Sequence, residues 1–309
     1  MLRRPSRNCV WCVAAFAVTI ALGVRAQAPA SREASVIEDA SRALASFNFG
    51  YAARTFASVQ AELEPSDPLW ERATLGWAMS MQYLDPPTAE RIAASEALYR
   101  QVAEEASDPR FVARATLALG RLAELSDFRG DPPNHEAAAA FYRAVYENMP
   151  ELPAADEALL RHAGLLAARF DAPESVRAAR RLLENRLAEY GNNDYAALMH
   201  ELLATIALFR KEYSEAITHF RRADELGLVE PNLSARTWWL IARLSETQAS
   251  DVDTGVAYYT RIILEAPYSG LAFEAQLALK RLKQAHPDRP IEVPELVGFD
   301  RAEEQAIDG

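Results

Sequence analysis

The five histidines are the residues of this chain best suited to metal binding or acid–base catalysis, and their spacing favours neither. They are His135, His162, His200, His219 and His286. His200 precedes Glu201, but no histidine follows four residues after His200, so the zinc-protease helix motif is absent. A lone histidine on a helix more often packs against neighbours or meets solvent than binds a metal. We therefore predict no metal site.

Nucleophilic and phosphate-binding motifs are missing as well. Cys9 and Cys12 are the two cysteines of the chain, and both lie near its start. The glycines stand singly, so no phosphate-binding loop opens a helix, and there is no Gly-x-Ser-x-Gly elbow. An active site would have to be assembled from residues distant in sequence. We predict that the chain is not an enzyme and binds no cofactor.

The charge of the chain argues against nucleic acid as a partner. The formal net charge is −11 at pH 7, and the acidic residues are spread along the sequence. Binding to phosphates requires the opposite balance. The acidity is typical of a well-solvated surface.

Helical periodicity carries the main structural information. Ala216, Phe220 and Ala223 lie four and then three residues apart, so they share one helix face. Small residues on both sides of the ring let another helix approach closely. The triplet recurs at intervals of about 39 to 43 residues, with its aromatic member at Phe56, Tyr99, Tyr142, Phe220 and Tyr259. A degenerate copy, Ala179-Leu183-Arg186, fills the gap between Tyr142 and Phe220.

A second set of small residues lies upstream of each triplet, beside apolar residues. These residues are Gly76, Gly120, Gly164, Ala204 and Ala242. Glycine destabilises a helix by about 1 kcal/mol relative to alanine. Three glycines at comparable positions therefore predict tight crossings between paired helices.

The pattern resembles the tetratricopeptide repeat, a unit of about 34 residues. The repeat pairs a helix bearing a small residue with one bearing alanine, an aromatic residue and alanine, closed by proline. Residues 203–226 match it best, and other copies carry insertions such as 84–88 and 127–134. The resemblance implies an all-α, right-handed superhelical solenoid. It also implies a concave groove, lined by the first helix of each pair, that binds peptides or helices.

The repeat pattern predicts one elongated domain over residues 29–284. A closing proline follows several aromatic positions and ends the helix there. The predicted helix pairs span roughly 33–66, 67–108, 109–152, 153–191, 192–230 and 232–268, with a capping helix over 269–284.

Residues 285–309 break the helical pattern with three prolines and become polar. We predict an extended, partly disordered tail. Within it, residues 291–299 carry spaced apolar side chains, which leaves open that this stretch folds back on the solenoid.

The N-terminus has the layout of a secretory signal peptide. Arg3, Arg4 and Arg7 precede an apolar run over Val10–Val24, and small residues follow it. The run is about 15 residues long, whereas a membrane-spanning helix needs about 20. We predict a cleaved signal over residues 1–28 and a periplasmic or secreted chain with no integral membrane span, with a retained anchor as the alternative.

Residues 258–275 resemble the repeats of bacterial envelope proteins, notably the periplasmic Tol–Pal coordinator and the outer-membrane assembly lipoproteins. The chain departs from the lipoproteins because Cys9 and Cys12 precede most of the apolar run. Neither cysteine is placed to accept a lipid. The resemblance implies a role in the cell envelope, with possible association with envelope complexes.

The resemblance also assigns groove positions, because the family exposes the residue after the small one and residues one or two turns before it. The predicted partner-binding residues are Trp70, Trp77, Arg114, Arg121, Arg161, Trp239 and Arg243. Tryptophan and arginine concentrate binding energy at interfaces, and arginine holds carboxylates through paired hydrogen bonds. We predict a groove for an acidic or C-terminal peptide segment. Alternatively, the tryptophans fill the seam between helices and the arginines only meet solvent.

Two function hypotheses follow from the predicted fold. The first is a non-enzymatic adaptor of the cell envelope that binds a protein or peptide in its groove. The second is a structural subunit of an envelope assembly, either for outer-membrane assembly or for cell division. Exposure of Trp77, Arg121 and Arg243 would favour the adaptor.

Overall fold

A computed structural model describes residues 31–125, 132–169, 171–191, 193–227 and 231–296. The predicted signal peptide over residues 1–28, most of the insertion at 127–134 and the last part of the tail lie outside these ranges. The described residues form thirteen α-helices and no strand. The all-α fold predicted from the helical periodicity is confirmed.

The helices follow one another with short connections. In chain order they are α1 (Arg32–Ala45), α2 (Phe49–Gln60), α3 (Pro68–Tyr83), α4 (Ala89–Glu105), α5 (Pro109–Glu124), α6 (His135–Asn148), α7 (Pro153–Ala167), α8 (Pro173–Tyr190), α9 (Ala196–Phe209), α10 (Tyr213–Leu226), α11 (Pro231–Thr247), α12 (Val252–Glu265) and α13 (Gly270–Ala285).

Proline and capping residues determine where several helices begin. Pro68 and Pro109 occupy the first turn of α3 and α5, where a missing N–H costs nothing. The preceding residues, Asp67 and Asp108, accept hydrogen bonds from the backbone N–H groups of Leu69 and Arg110, each at 2.8 Å. The sequence therefore marks these helix starts locally, before any packing.

The described residues divide into two compact units. The N-terminal unit contains α1–α8 up to Tyr195, and the C-terminal unit contains α9–α13 from Ala196. Within each unit, consecutive helices pack together, and odd-numbered helices also contact each other, as α3 contacts α5 and α11 contacts α13. Even-numbered helices contact only odd-numbered ones among the described residues. The odd-numbered helices α1, α3, α5 and α7 thus form an inner layer in the N-terminal unit, and α11 and α13 form one in the C-terminal unit.

In five of the six even-numbered helices, the recurring aromatic residue is the centre of the packing. Phe56, Tyr99, Tyr142, Phe220 and Tyr259 are each at most 1% exposed. The buried tyrosines donate hydrogen bonds to the preceding odd-numbered helix: Tyr99 to Gln82 at 2.7 Å, Tyr142 to Glu124 at 2.5 Å and Tyr259 to Glu246 at 2.9 Å. Each ring fills the space between two adjacent helices, which we call the seam. The tyrosine hydroxyls at the edge of the seam are satisfied by these hydrogen bonds.

The small residues of the best-matched repeat lie in the same kind of seam. Ala204, Ala216 and Ala223 are fully buried. Ala204 and Ala216 belong to one apolar cluster with Phe220, which joins α9, α10 and α11. The two small side chains are therefore placed where α9 and α10 cross.

The three predicted crossing glycines differ. A Cβ atom on Gly76 would lie 2.5 Å from Phe56 Cζ, and one on Gly120 would lie 2.5 Å from Tyr142 Cε1. Both distances are much shorter than a van der Waals contact distance between carbon atoms. A Cβ atom on Gly164 would meet no described atom within 4 Å. The expectation of a tight crossing at Gly164 is therefore wrong, because the ring that closes the gap at Gly76 and Gly120 has no counterpart there.

The first part of the predicted tail is packed. Ile291 is buried in the cluster formed by α11, α12 and α13, and Val293 and Leu296 pack against it. Gln276 of α13 donates a hydrogen bond to the carbonyl oxygen of Pro294 at 2.9 Å, and Arg289 pairs with Asp253 at 2.5 Å. The sequence favours an extended, partly disordered tail and leaves open that residues 291–299 fold back on the solenoid. In the structure, residues 286–296 do fold back along α13.

Alanine substitution should separate the glycines by their surroundings. Gly76→Ala and Gly120→Ala should each destabilise the protein by about 1–2 kcal/mol, because overpacking against a buried ring exceeds the gain in helix propensity. Gly164→Ala should stabilise it by about 0.5–1 kcal/mol. Urea unfolding followed by circular dichroism measures all three. Equal changes in stability at the three positions would contradict the conclusion that buried rings press on Gly76 and Gly120 but not on Gly164.

Candidate partner-binding surfaces

Trp70 and Trp77 of α3 have different environments. Trp70 is 1% exposed, so the prediction that it contacts a partner is wrong. It lies near the start of the helix on the side that faces the core. Trp77 is half-buried and packs against apolar clusters on both sides of α3. Its ring joins adjacent helix pairs and leaves only part of its surface to solvent.

Arg121 and Arg161 are held in a charge network of the inner layer. Glu157 of α7 is 6% exposed, and its Oε1 atom accepts hydrogen bonds from Arg121 Nη2 of α5 and from Arg161 Nε at 2.7 Å. Tyr195 donates its hydroxyl to Glu157 Oε2 at 2.9 Å. These three hydrogen bonds engage both carboxylate oxygens of Glu157.

Glu124 extends this network to α6. Its Oε2 atom accepts hydrogen bonds from Arg161 Nη1 at 3.4 Å and from the hydroxyl of Tyr142 at 2.5 Å. Two arginines are thus balanced by two glutamates from the same unit. The prediction that Arg121 and Arg161 grip a partner's carboxylate does not fit this arrangement, since both already bind internal carboxylates.

The network also changes the acidity of Glu157. Burial raises its pKa, but the charges and hydrogen bonds of Arg121 and Arg161 outweigh burial and lower the pKa to about 2. The carboxylate is therefore ionised at every ordinary pH. It ties α5 to α7, the two inner helices that meet here.

Arg114 and Arg243 differ from the paired arginines. Both are exposed, Arg114 on α5 and Arg243 on α11, and neither has an ion-pair partner among the described residues. The guanidinium carbon of Arg243 lies 5.9 Å from the ring centroid of Trp239. Trp239 is half-buried and meets Tyr259 edge to face at 5.4 Å. Arg243 is therefore an exposed cation beside an anchored aromatic ring.

The adjacent tryptophans of α11 serve two faces. Trp238 is buried and donates Nε1–H to Asp224 at 2.6 Å, while Trp239 lies beside Arg243. Neighbouring residues on a helix point about 100° apart. Trp238 is consequently part of the core, and Trp239 contributes to the surface.

Two features of the described residues could not be anticipated from spacing. Glu157 lies four residues before Arg161, a visible pair, but Arg121 is far from it in sequence. His200 of α9 and His219 of α10 meet with their Nδ1 atoms 2.9 Å apart. Burial, followed by the charge of His219, lowers the pKa of His200 to about 4. One ring must therefore remain a neutral acceptor.

The described residues contain no group of three or more histidine, cysteine, aspartate or glutamate side chains placed to hold a metal ion. None of the described helices combines the length and the apolar character that crossing a membrane requires.

Comparisons with known proteins show which fold the chain shares. No family model matches the chain, and no curated protein matches its sequence. The solved structure of pilF from Pseudomonas aeruginosa is similar, with a TM-score of 0.56 at 18% identity over 80% of this chain and 97% of pilF. A tetratricopeptide repeat protein from Parabacteroides merdae gives a TM-score of 0.48 at 13% identity over 89% of this chain and 97% of that protein. At these identities the likeness concerns the fold.

Removing the buried carboxylate should destabilise the N-terminal unit. Glu157→Gln should cost about 3 kcal/mol in the free energy of unfolding, because it leaves two partly buried arginines short of a counter-charge. Glu174→Gln removes an exposed pair with Arg177 and should leave stability unchanged within error. Urea unfolding at pH 7 measures both. Similar midpoints for the two variants would contradict the role given to Glu157.

The pH dependence of stability should reveal the histidine pair. The pKa of His200 is lowered in the folded chain from 6.5 to about 4, so the unfolded chain takes up an extra proton between these values. Stability should therefore fall as pH falls from about 6.5 to 4. His200→Gln should reduce this slope in thermal unfolding scans without abolishing it, because burial also lowers the pKa of His162 to about 4. His135→Gln, an exposed histidine at the start of α6, should not, and an unchanged slope for both variants would rule out the pair as its source.

Proposed function

We propose that this chain, which has the tetratricopeptide repeat fold, is a non-enzymatic scaffold of the bacterial cell envelope. In this proposal an acidic segment of a partner protein binds to the inner layer of odd-numbered helices. Stacked helix pairs present extended surfaces suited to peptides and helices. The polar clusters support a binding role over a catalytic one, because Glu157 and Glu124 are committed to ion pairs within the unit.

The observation that carries the proposal is the pair formed by Arg243 and Trp239 on α11. The guanidinium group is exposed, and its position beside the indole ring reduces the freedom that it would lose on binding. An arginine oriented in this way can donate two parallel hydrogen bonds to a carboxylate. The ring supplies adjacent apolar contact area for a neighbouring side chain of the partner.

Arg114 of the N-terminal unit supports the same kind of binding independently. It is exposed on the inner helix α5. The nearby arginines of α5 and α7 are paired with Glu157 and Glu124, so Arg114 adds a charge that is not compensated by an ion pair among the described residues. Each unit thus offers one exposed cation on an inner helix.

The envelope location rests on the sequence of the first 28 residues. Three arginines followed by an apolar run and small residues favour secretion and cleavage. Processing predicts a periplasmic or secreted scaffold, and retention predicts one anchored at the membrane. N-terminal sequencing of the protein recovered from the periplasmic fraction distinguishes the two outcomes.

A structural subunit of an envelope assembly is the second candidate. The observation that favours it is the exposure of Phe273 and Leu277 on α13, at 54% and 43%. Large apolar side chains at the surface of a terminal helix are typical of a packing contact. This surface is separate from the Arg243–Trp239 pair.

Charge reversal on the inner layer tests the adaptor function. In capture from envelope extract, Arg243→Glu should reduce recovery of the principal partner at least tenfold, because a carboxylate would face a carboxylate. Arg243→Lys should have an intermediate effect, since lysine retains the charge but lacks the planar fork. Arg221→Glu, which reverses an exposed arginine on the outer helix α10 of the same unit, is the matched control. Equal losses for the two Glu variants would contradict binding at the inner layer.

A further inference from the structure

The surface of α13 that faces away from its own core is partly apolar. Phe273 and Leu277 lie four residues apart, so they are neighbours on one side of the helix. Ala275, Ala278 and Leu282 form the opposite side and are buried against α11 and α12. Phe273 and Leu277 are therefore not exposed edges of the core but a separate stripe.

This stripe is unusual for the end of a helical repeat array. Terminal elements of such arrays normally present a polar outer face, which keeps the stack soluble. Residues 286–296 do cover one side of α13, where Ile291 is buried and Gln276 bonds to Pro294. Phe273 and Leu277 stay exposed beside that packed segment. The described part of the tail therefore leaves the stripe open.

The charges around the stripe are basic in a chain whose net charge is −11. The second half of α13 contains Lys280, Arg281 and Lys283 and no acidic residue. Arg281 pairs with Glu246 at 2.6 Å. Lys280 bonds to the neutral side chain of Gln276 at 3.0 Å, and neither lysine has an ion-pair partner among the described residues. Two lysines thus extend the apolar stripe towards the end of the helix.

We propose that the α13 face, defined as Phe273, Leu277, Lys280 and Lys283, binds an acidic amphipathic helix of a partner protein. Two apolar side chains of that helix, one turn apart, would cover Phe273 and Leu277. Aspartate or glutamate side chains one turn further would meet Lys280 and Lys283. This surface lies on α13 and its binding does not depend on Arg243.

Charge complementarity selects this occupant over a second copy of the chain. Self-association would bring together two chains that each carry a net charge of −11, and it would place the lysines of one α13 face near those of the other. Glu274 is the single acidic residue in α13. A separate acidic helix satisfies both the apolar and the basic part of the face.

Fluorescence anisotropy with the full chain tests the proposal directly. The probe is a labelled, helix-stabilised peptide with leucines at i, i+4, i+7 and i+11 and glutamates on the flanking positions. Saturable binding is expected. Leu277→Ser should weaken it at least tenfold, and Lys280→Glu with Lys283→Glu should do the same. The doubly reversed variant should instead bind a peptide in which lysines replace the glutamates, which a merely unfolded variant would not do.

Matched controls separate the α13 face from other surfaces. Leu264→Ser alters an exposed leucine of α12 and should leave binding unchanged. A scrambled peptide of the same composition should bind at least tenfold more weakly. Equal losses for Leu264→Ser and Leu277→Ser, or no saturable binding by a chain of native helicity, would overturn the proposal.

Two further outcomes would replace the occupant. Residues 297–309 are themselves acidic and include Phe299, Glu303 and Glu304. If Phe299→Ser with Glu303→Lys and Glu304→Lys tightened peptide binding at least tenfold, the face would belong to the chain's own terminal segment. If sedimentation showed a concentration-dependent dimer that Leu277→Ser abolishes, the face would belong to a second copy. Either result would overturn binding of a partner helix.

Discussion

The close approach of adjacent helices determines the rest of this structure. At Gly76 a buried ring of the preceding helix, and at Gly120 a buried ring of the following helix, lies where a Cβ atom on the glycine would be. This contact sets how near the even-numbered helices come to the odd-numbered ones. It thereby determines which residues of the odd-numbered helices can meet across the inner layer. The ion pairs between α5 and α7 depend on that spacing.

The sequence predicts the helices and their packing faces well, because both depend on local patterns. Prolines and capping residues such as Asp67 and Asp108 mark helix starts, and the recurring aromatic residue identifies the buried face. Gly164 shows the limit of this reasoning, since a glycine in a repeat position need not be pressed by a neighbouring ring. Trp70 shows another, because it lies two turns before Trp77 on the same helix face, yet it is buried while Trp77 is only half-buried.

Side-chain partners across helices were less predictable than the helices. Arg121 and Arg161 have the residue type and the position of groove residues, but Glu157 and Glu124 neutralise them from within the unit. The partner of Arg121 lies one repeat further along the chain, and spacing alone does not reveal it. Spacing alone also does not reveal the contact between His200 and His219 or the packing of Ile291 against α11, α12 and α13. These contacts depend on how repeats stack, which a single sequence does not specify.

The adaptor function requires a partner protein to bind to the inner, odd-numbered helices. Hydrogen–deuterium exchange of the chain with and without its captured partner tests this binding most directly. Exchange in α11 should slow when the partner is bound, with its outer neighbour α10 unchanged. Protection confined to α10 and α12, with α11 unaffected, would contradict it.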